Sequence, residues 1–203
     1  NNLYEKYRNE NLCIAGGCGM NSVANGKIKD NTKFKNIYVQ PAAGDAGGAI
    51  GAAFTTYYKF TNKKRVFEMK HAYWGTSYDN NQISDCLKKN EKIIENQKCS
   101  LKLISDNNEL NRIVANDISE GKVVGWFQGK MEWGPRALGN RSILGDPRRS
   151  DMKDILNLKI KRRESFRPFA PSILREHVSQ WFKNDDEVPF MMKVYQIKED
   201  KRI

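Results

Sequence analysis

Apolar residues recur along this chain in short runs punctuated by glycine, and the runs define the expected elements. Leu12 to Ala15 ends on Gly16-Gly17, which predicts a strand that delivers the chain into a tight turn. A helix is expected from about Met20 to Lys29, and a second strand from Ile37 to Gln40, closed by Pro41. Residues 42–54, AAGDAGGAIGAAF, are almost all small. The turn at Gly44-Asp45 should therefore lead into a helix whose Gly/Ala face packs closely against a sheet or a ligand. Strand, glycine turn and helix in repetition imply an α/β layer structure.

The second half alternates helical and extended patterns. Residues 63–77 look irregular, after which Asp79 is placed to cap a helix carrying Ile83, Leu87 and Ile94. Asp106 and Glu109 form an approximate capping box for a helix with Leu110, Ile113, Val114 and Ile118 on one face, and Gly121 stands at its C-terminal end. Lys122 to Phe127 reads as a buried strand. Asp151 to Arg163 has acids first and bases last, matching a helix dipole, and the prolines of Phe166 to Pro171 end it. Val178 to Phe182 suggests a short amphipathic piece.

Composition narrows the class. At 203 residues with 39% apolar content the chain has enough material for an ordinary core in one large or two small domains. No apolar run approaches the roughly 20 residues of a membrane span, and NNLYEKYRNE lacks the pattern of a signal peptide, so a cytoplasmic location without membrane partners is expected. Cys13, Cys18, Cys86 and Cys99 form no CxxC pair, and His71 and His177 are spaced with no other ligand type, which argues against zinc.

Charge is unevenly spread. Between Lys122 and Arg175 thirteen Lys or Arg face five Asp or Glu, a surplus of eight out of the chain's net +11. Gly129, Gly134, Pro135 and Gly139 break the first part of that segment into turns that present Arg136 and Arg141. Guanidinium forks on turn backbone suit phosphate, because they stay charged and bind its oxygens bidentately. A solvated basic face or a nucleic-acid-binding module is the alternative reading. A nucleic-acid module calls for aromatics interleaved with the cations, whereas Trp126, Phe127 and Trp133 read more easily as strand and core residues. At the other end, Gly16-Gly17 before a helix allows close approach of a nucleotide, and Asp45 among small residues is a carboxylate able to hold a metal, bind a ligand or cap the next helix.

Four segments, LCIAGGCGMNSVANGKI, IYVQPAAGDAGGAIGAAF, VVGWFQGKMEWGPRALGNRSILGDPR and LNLKIKRRESFRPFAPSIL, together resemble the O-carbamoyltransferase family of nodulation and antibiotic-tailoring enzymes. The resemblance covers most of the chain, and it implies an α/β protein of two parts. Residues 1–75 would be the C-terminal part of an actin-like ATPase-fold (ribonuclease H-like) carbamoyl-transfer domain. Residues 76–104 would be a connecting helix and linker. Residues 105–203 would begin a threonylcarbamoyl-adenylate synthase-like domain, and the chain reads as a fragment of a longer polypeptide.

The implied reaction converts carbamoyl phosphate and ATP to carbamoyl-adenylate, then transfers the carbamoyl group to a hydroxyl of a sugar or natural product. Gly16, Gly17, Asn21 and Gly47 would contact the nucleotide, with Asn140 and Ser142 as further donors, and Asp45 would be a ligand to Fe2+. The family's partner histidines belong to an HxxxH motif that this sequence lacks. Arg136, Arg141, Lys161 and Arg167 would clamp carbamoyl phosphate and the nucleotide phosphates. A threonylcarbamoyl tRNA-modification enzyme is the neighbouring alternative, disfavoured by the fused order of the two motif sets.

Overall fold

The computed structural model describes residues 2–202, which divide into two compact units. The first comprises the chain through Tyr73, Glu132–Leu138 and the chain from Ser172 onward, and the second comprises Trp74–Met131 and Gly139–Pro171.

The first unit starts with α1 (Asn2–Tyr7), β1 (Asn11–Ile14) and a 3-10 turn (Gly17–Met20), followed by α2 (Ser22–Asn31) and β2 (Asn36–Val39). The strands pair in parallel, from Asn11 with Asn36 to Ile14 with Val39, so α2 is the crossover that a parallel pair requires. A second 3-10 turn (Asp45–Gly47) leads into α3 (Gly48–Thr61), which ends where Asn62 turns left-handed. The core gathers Val39, Ala43, Ala72, Phe190 and Met192, with Ile14, Met20, Ile37, Met69 and Leu138 packed around them. The late segment joins this core through specific bonds. The buried Asn25 side chain donates to the carbonyls of Gly19 (2.8 Å) and Met192 (2.9 Å), and the Val194 amide donates to Ser22 O at 3.0 Å.

One expectation fails on α3, where no residue is buried. Its Gly/Ala half offers little side-chain surface, and a Cβ added at Gly48 or Gly51 would meet nothing within 4 Å. Its aromatics pair locally instead: Phe54 stacks on Tyr58 with centroids 6.0 Å apart and lies 5.2 Å from Phe67.

The second unit begins with α4 (Asn80–Lys89), which Asp79 and Gln82 close with a complete capping box, and α5 (Glu91–Asn96). The single helix expected here breaks at Asn90, whose Nδ2 donates to Cys86 O at 2.8 Å, a local bond that competes with the helical ladder. α6 (Asn107–Ser119) has the N-cap expected at Asp106 and the glycine expected past its end. Asp106 accepts from the amides of Asn108 and Glu109, and past the C-terminus Gly121 N bonds Ile118 O while Lys122 N reaches Asp117 O.

β3 (Val124–Phe127) pairs antiparallel with β4 (Arg141–Leu144), which the sequence pattern does not predict. A two-stranded sheet covers only one face. β3 therefore alternates between half-buried Val124 and Trp126 and exposed Gly125 and Phe127, and is not the buried strand expected from its composition. The helix expected from Asp151 is one α-turn, α7 (Met152–Asp154), continued by a π-helical stretch, Ile155–Ile160. Among the described residues no helix is long and apolar enough to cross a membrane.

Glycine is required at position 134. Its φ is +107°, and an added Cβ would lie 2.9 Å from the Pro41 carbonyl oxygen. Gly134→Ala should destabilise the first unit by about 1 to 3 kcal/mol through strain and this clash, seen as a lower urea midpoint with unchanged slope. An unchanged midpoint would show that the loop simply moves aside.

Candidate functional site

The predicted nucleotide and metal residues meet where β1 and β2 end. Gly16 takes φ +105° and ψ 166°, a conformation for glycine alone, and its amide donates to Ala43 O at 2.6 Å, tying the two strand-end turns together. Gly16 and Gly17 are exposed, and a Cβ at either would meet nothing within 4 Å. Gly47 differs: it is buried, with its Cβ position blocked by Ala42 O and the Gln40 side chain, so it serves close packing. Asn21 caps α2, its Oδ1 accepting from the Ala24 amide at 3.1 Å.

Asp45 is exposed and opens the second 3-10 turn, while Gly47 precedes α3 without any side-chain capping bond. Its carboxylate thus stands outside the helix-capping role that its position suggests. Among the described residues no group of three His, Cys, Asp or Glu can hold a metal ion. One exposed carboxylate does not make an iron centre, and the residues present do not fit that metal by themselves.

Arg136 belongs to this first unit, whereas Asn140, Arg141, Ser142, Lys161 and Arg167 belong to the second. Half-buried, Arg136 donates from Nη2 to the Met20 carbonyl at 3.1 Å, and its buried Nε has no hydrogen-bond partner among the described residues. It holds the loop 132–138 against the turn after β1. That loop is also tied by the Trp133 amide to Ala72 O (2.6 Å), by Glu132 Oε1 accepting from the Leu138 amide (2.6 Å), and by Tyr73 Oη donating to Leu138 O (2.9 Å).

In the second unit, Asn140 and Ser142 shape the connection between β3 and β4. Asn140 Nδ2 donates to Lys130 O at 2.8 Å, and the Gly139 amide donates to Ser142 Oγ at 3.0 Å. Arg141 is exposed opposite Phe127 at the edge of the sheet. Gly145, just after β4, packs on Met152 and Leu156, which links this sheet to the π-helical stretch.

The strap beyond that stretch carries Lys161 and Arg167, both exposed. Asn157 lies beneath it, fully buried within ILNLKI. Its Nδ2 donates to the carbonyls of Ser165 (3.2 Å) and Arg167 (2.9 Å), and its Oδ1 accepts from Arg163 Nε at 2.7 Å. Residue-type arguments passed over Asn157. The signal it offered was a lone carboxamide in an apolar run, at a position where an unpaired polar group is costly.

Several cations in the basic segment have acidic partners. Arg148 grips buried Asp146 through Nε and Nη2, Arg149 grips Asp151 through Nε (2.9 Å) and Nη2 (2.7 Å), and Arg167 Nε meets Glu164 at 3.0 Å. Hydrogen bonds from the Arg148 side chain and backbone hold the Asp146 carboxyl down at about 2, below the ordinary 3.8. Arg163 sits 4.8 Å from the centroid of the Phe169 ring.

Residues 115–203 match the family model for the carbamoyltransferase C-terminus, and residues 1–54 match that for the carbamoyltransferase N-terminus. The chain belongs to the carbamoyltransferase family. It is 46% identical over 210 residues to an uncharacterised protein of Synechocystis sp., covering 100% of this chain and 33% of that one. It is 40% identical over 194 residues to the nodulation protein NolO of Bradyrhizobium diazoefficiens (94% and 34% covered). It is 31% identical over 188 residues to the 3'-hydroxymethylcephem-O-carbamoyltransferase of Amycolatopsis lactamdurans (93% and 33% covered). The chain thus spans about a third of the length of these relatives.

Arg136→Ala should lower the melting temperature, because a charge-assisted bond from a half-buried fork contributes about 1.5 to 3 kcal/mol. Calorimetric melting at neutral pH checks this, and an unchanged melting temperature would remove Arg136 from the structural role. The Asp146 carboxyl is depressed in the folded state, so its contribution is present above pH about 4 and is lost as pH falls toward 2. Asp146→Asn should flatten the fall of melting temperature across that window, and parallel wild-type and variant curves would contradict the pairing.

Proposed function

We propose that this chain is the part of an ATP-dependent O-carbamoyltransferase that forms carbamoyl-adenylate and contributes to transfer of the carbamoyl group to a hydroxyl of a small-molecule acceptor. Water releases phosphate from carbamoyl phosphate to give carbamate. The carbamate oxygen then attacks the α-phosphorus of ATP, pyrophosphate leaves, and the acceptor oxygen finally displaces AMP from the carbamoyl carbon. Chemistry of this kind needs no covalent protein nucleophile. It needs cations fixed where charge develops on phosphate, and the exposed Lys161 and Arg167 on a strap anchored from beneath are the observation that carries the reading.

Arg141, Lys161 and Arg167 are assigned to the anion, with Asn140 and Ser142 shaping the adjoining turn. The open backbone at Gly16 and Gly17, beside Asn21, is assigned to a nucleotide or acyl-adenylate edge, and Arg136 to holding that turn. Asp45 is the exposed carboxylate of the transfer side. The Amycolatopsis relative, named for a hydroxymethyl group on a cephem, supports an alcohol as the acceptor class.

Arg167→Lys tests the assignment in the full-length protein. An ammonium keeps the charge and loses the planar fork, so carbamoyl-phosphate-dependent pyrophosphate release should fall roughly ten- to hundredfold while melting is unchanged. Pyrophosphate release at the wild-type rate would remove Arg167 from the anion site.

A further inference from the structure

The assignment of Arg167 to the anion leaves open what holds it in place. The prolines Pro168 and Pro171 restrict the end of the strap, but the stretch from Lys161 to Arg167 has no regular secondary structure of its own. Exposed backbone of that kind samples many conformations unless something beneath it accepts or donates bonds. The Asn157 side chain is at 0% relative exposure and makes three bonds, two to strap carbonyls and one to the Arg163 guanidinium. One of those carbonyls is that of Arg167 itself.

The local winding matches this arrangement. Between Ile155 and Ile160 the helix is π-wound, and beyond it the amides of Lys161 and Arg163 bond back to Leu156 O and Asn157 O, both at 2.9 Å. π-winding is rare, and where it occurs it is frequently found at functional sites. Here it accompanies the buried carboxamide under the strap. Arg162 follows with φ +48°, a left-handed residue that turns the chain away from the helix.

We infer that Asn157 is the positioning residue of the anion strap: its buried carboxamide fixes the backbone of residues 163–167 and so presents Arg167 to the phosphate group of the substrate. The inference rests on the assignment of Arg167 to that anion. Asn157 touches no substrate. It acts on the backbone, narrowing the positions from which the guanidinium, met through Nε by Glu164 at 3.0 Å, reaches an anion.

The test is a double-mutant cycle in the full-length protein, with Asn157→Asp, Arg167→Ala and the pair, reading the affinity for carbamoyl phosphate by calorimetry and the melting temperature alongside. The first substitution keeps the shape and the acceptor for Arg163 while losing both donors when the new carboxyl is ionised. Asn157→Asp should weaken carbamoyl phosphate binding about ten- to hundredfold, leave ATP affinity within about twofold, and add little once Arg167 is already alanine. Asn157→Ser, which introduces no charge and keeps one hydroxyl donor, should fall between wild type and Asn157→Asp, and it carries the test if the aspartate variant does not fold. Additive losses in the cycle, or a lowered melting temperature with unchanged carbamoyl phosphate affinity, would overturn the positioning role. Unchanged affinity in Arg167→Ala alone would overturn the anion assignment beneath it, a separate and recognisable failure.

Discussion

The close meeting of backbones at Pro41-Ala42-Ala43 is the constraint on which the first unit depends. Pro41, Ala42 and Ala43 are buried, and side chains no larger than these allow three other segments to approach at backbone distance. The Gly16 amide reaches Ala43 O, Gly134 lies against Pro41 O, and the hydrophobic cluster closes over Ala43 and Ala72. A side chain at Gly134 would push its loop off the Pro41 carbonyl, and at Gly16 it would strain the positive φ that lets the amide reach Ala43 O. The pair of turns, with exposed glycines on one and Asp45 on the other, exists because the corner between them is small.

Charge is organised differently from what its total suggests. The surplus of Lys and Arg in the second half implies a broad positive field, yet Arg148 and Arg149 each grip a carboxylate two residues away through two nitrogens, while Arg167 meets Glu164 through Nε alone. Local pairing narrows a diffuse basic surface to particular points, because a cation joined to a carboxylate carries no net charge outward, and salt screens what remains over roughly 10 Å. Exposed pairs of this kind add little stability. Their effect is on which cations face an arriving anion.

The second unit shows how a polar residue in an apolar run organises exposed chain. Asn157 brings bonding capacity into a place that would otherwise exclude it, and all three bonds go to the irregular segment that follows. Burial makes those bonds selective, since the alternative to making them is an unsatisfied carboxamide away from water.

Local chemistry alone determined much of this protein: the βαβ start, the Asp79 and Asp106 caps, the Gly121 stop and the glycine-broken loop all follow from residues within a few positions of one another. The four long motifs likewise carried the family. Tertiary structure decided the rest. β4 has no signature of its own and exists because β3 offers it a partner. Arg136, seven residues past Gly129 and five before Arg141 in sequence, went to the first unit because Met20 O and Ala72 O accept from its loop there. The helix expected at Asp151 became π-wound around a buried carboxamide, and the Gly/Ala face of α3 stayed open. For β4 and Arg136 the deciding partner lies well outside the local window, and for Asn157 it lies across a turn six to ten residues on, whereas periodicity and propensity carry information only about near neighbours.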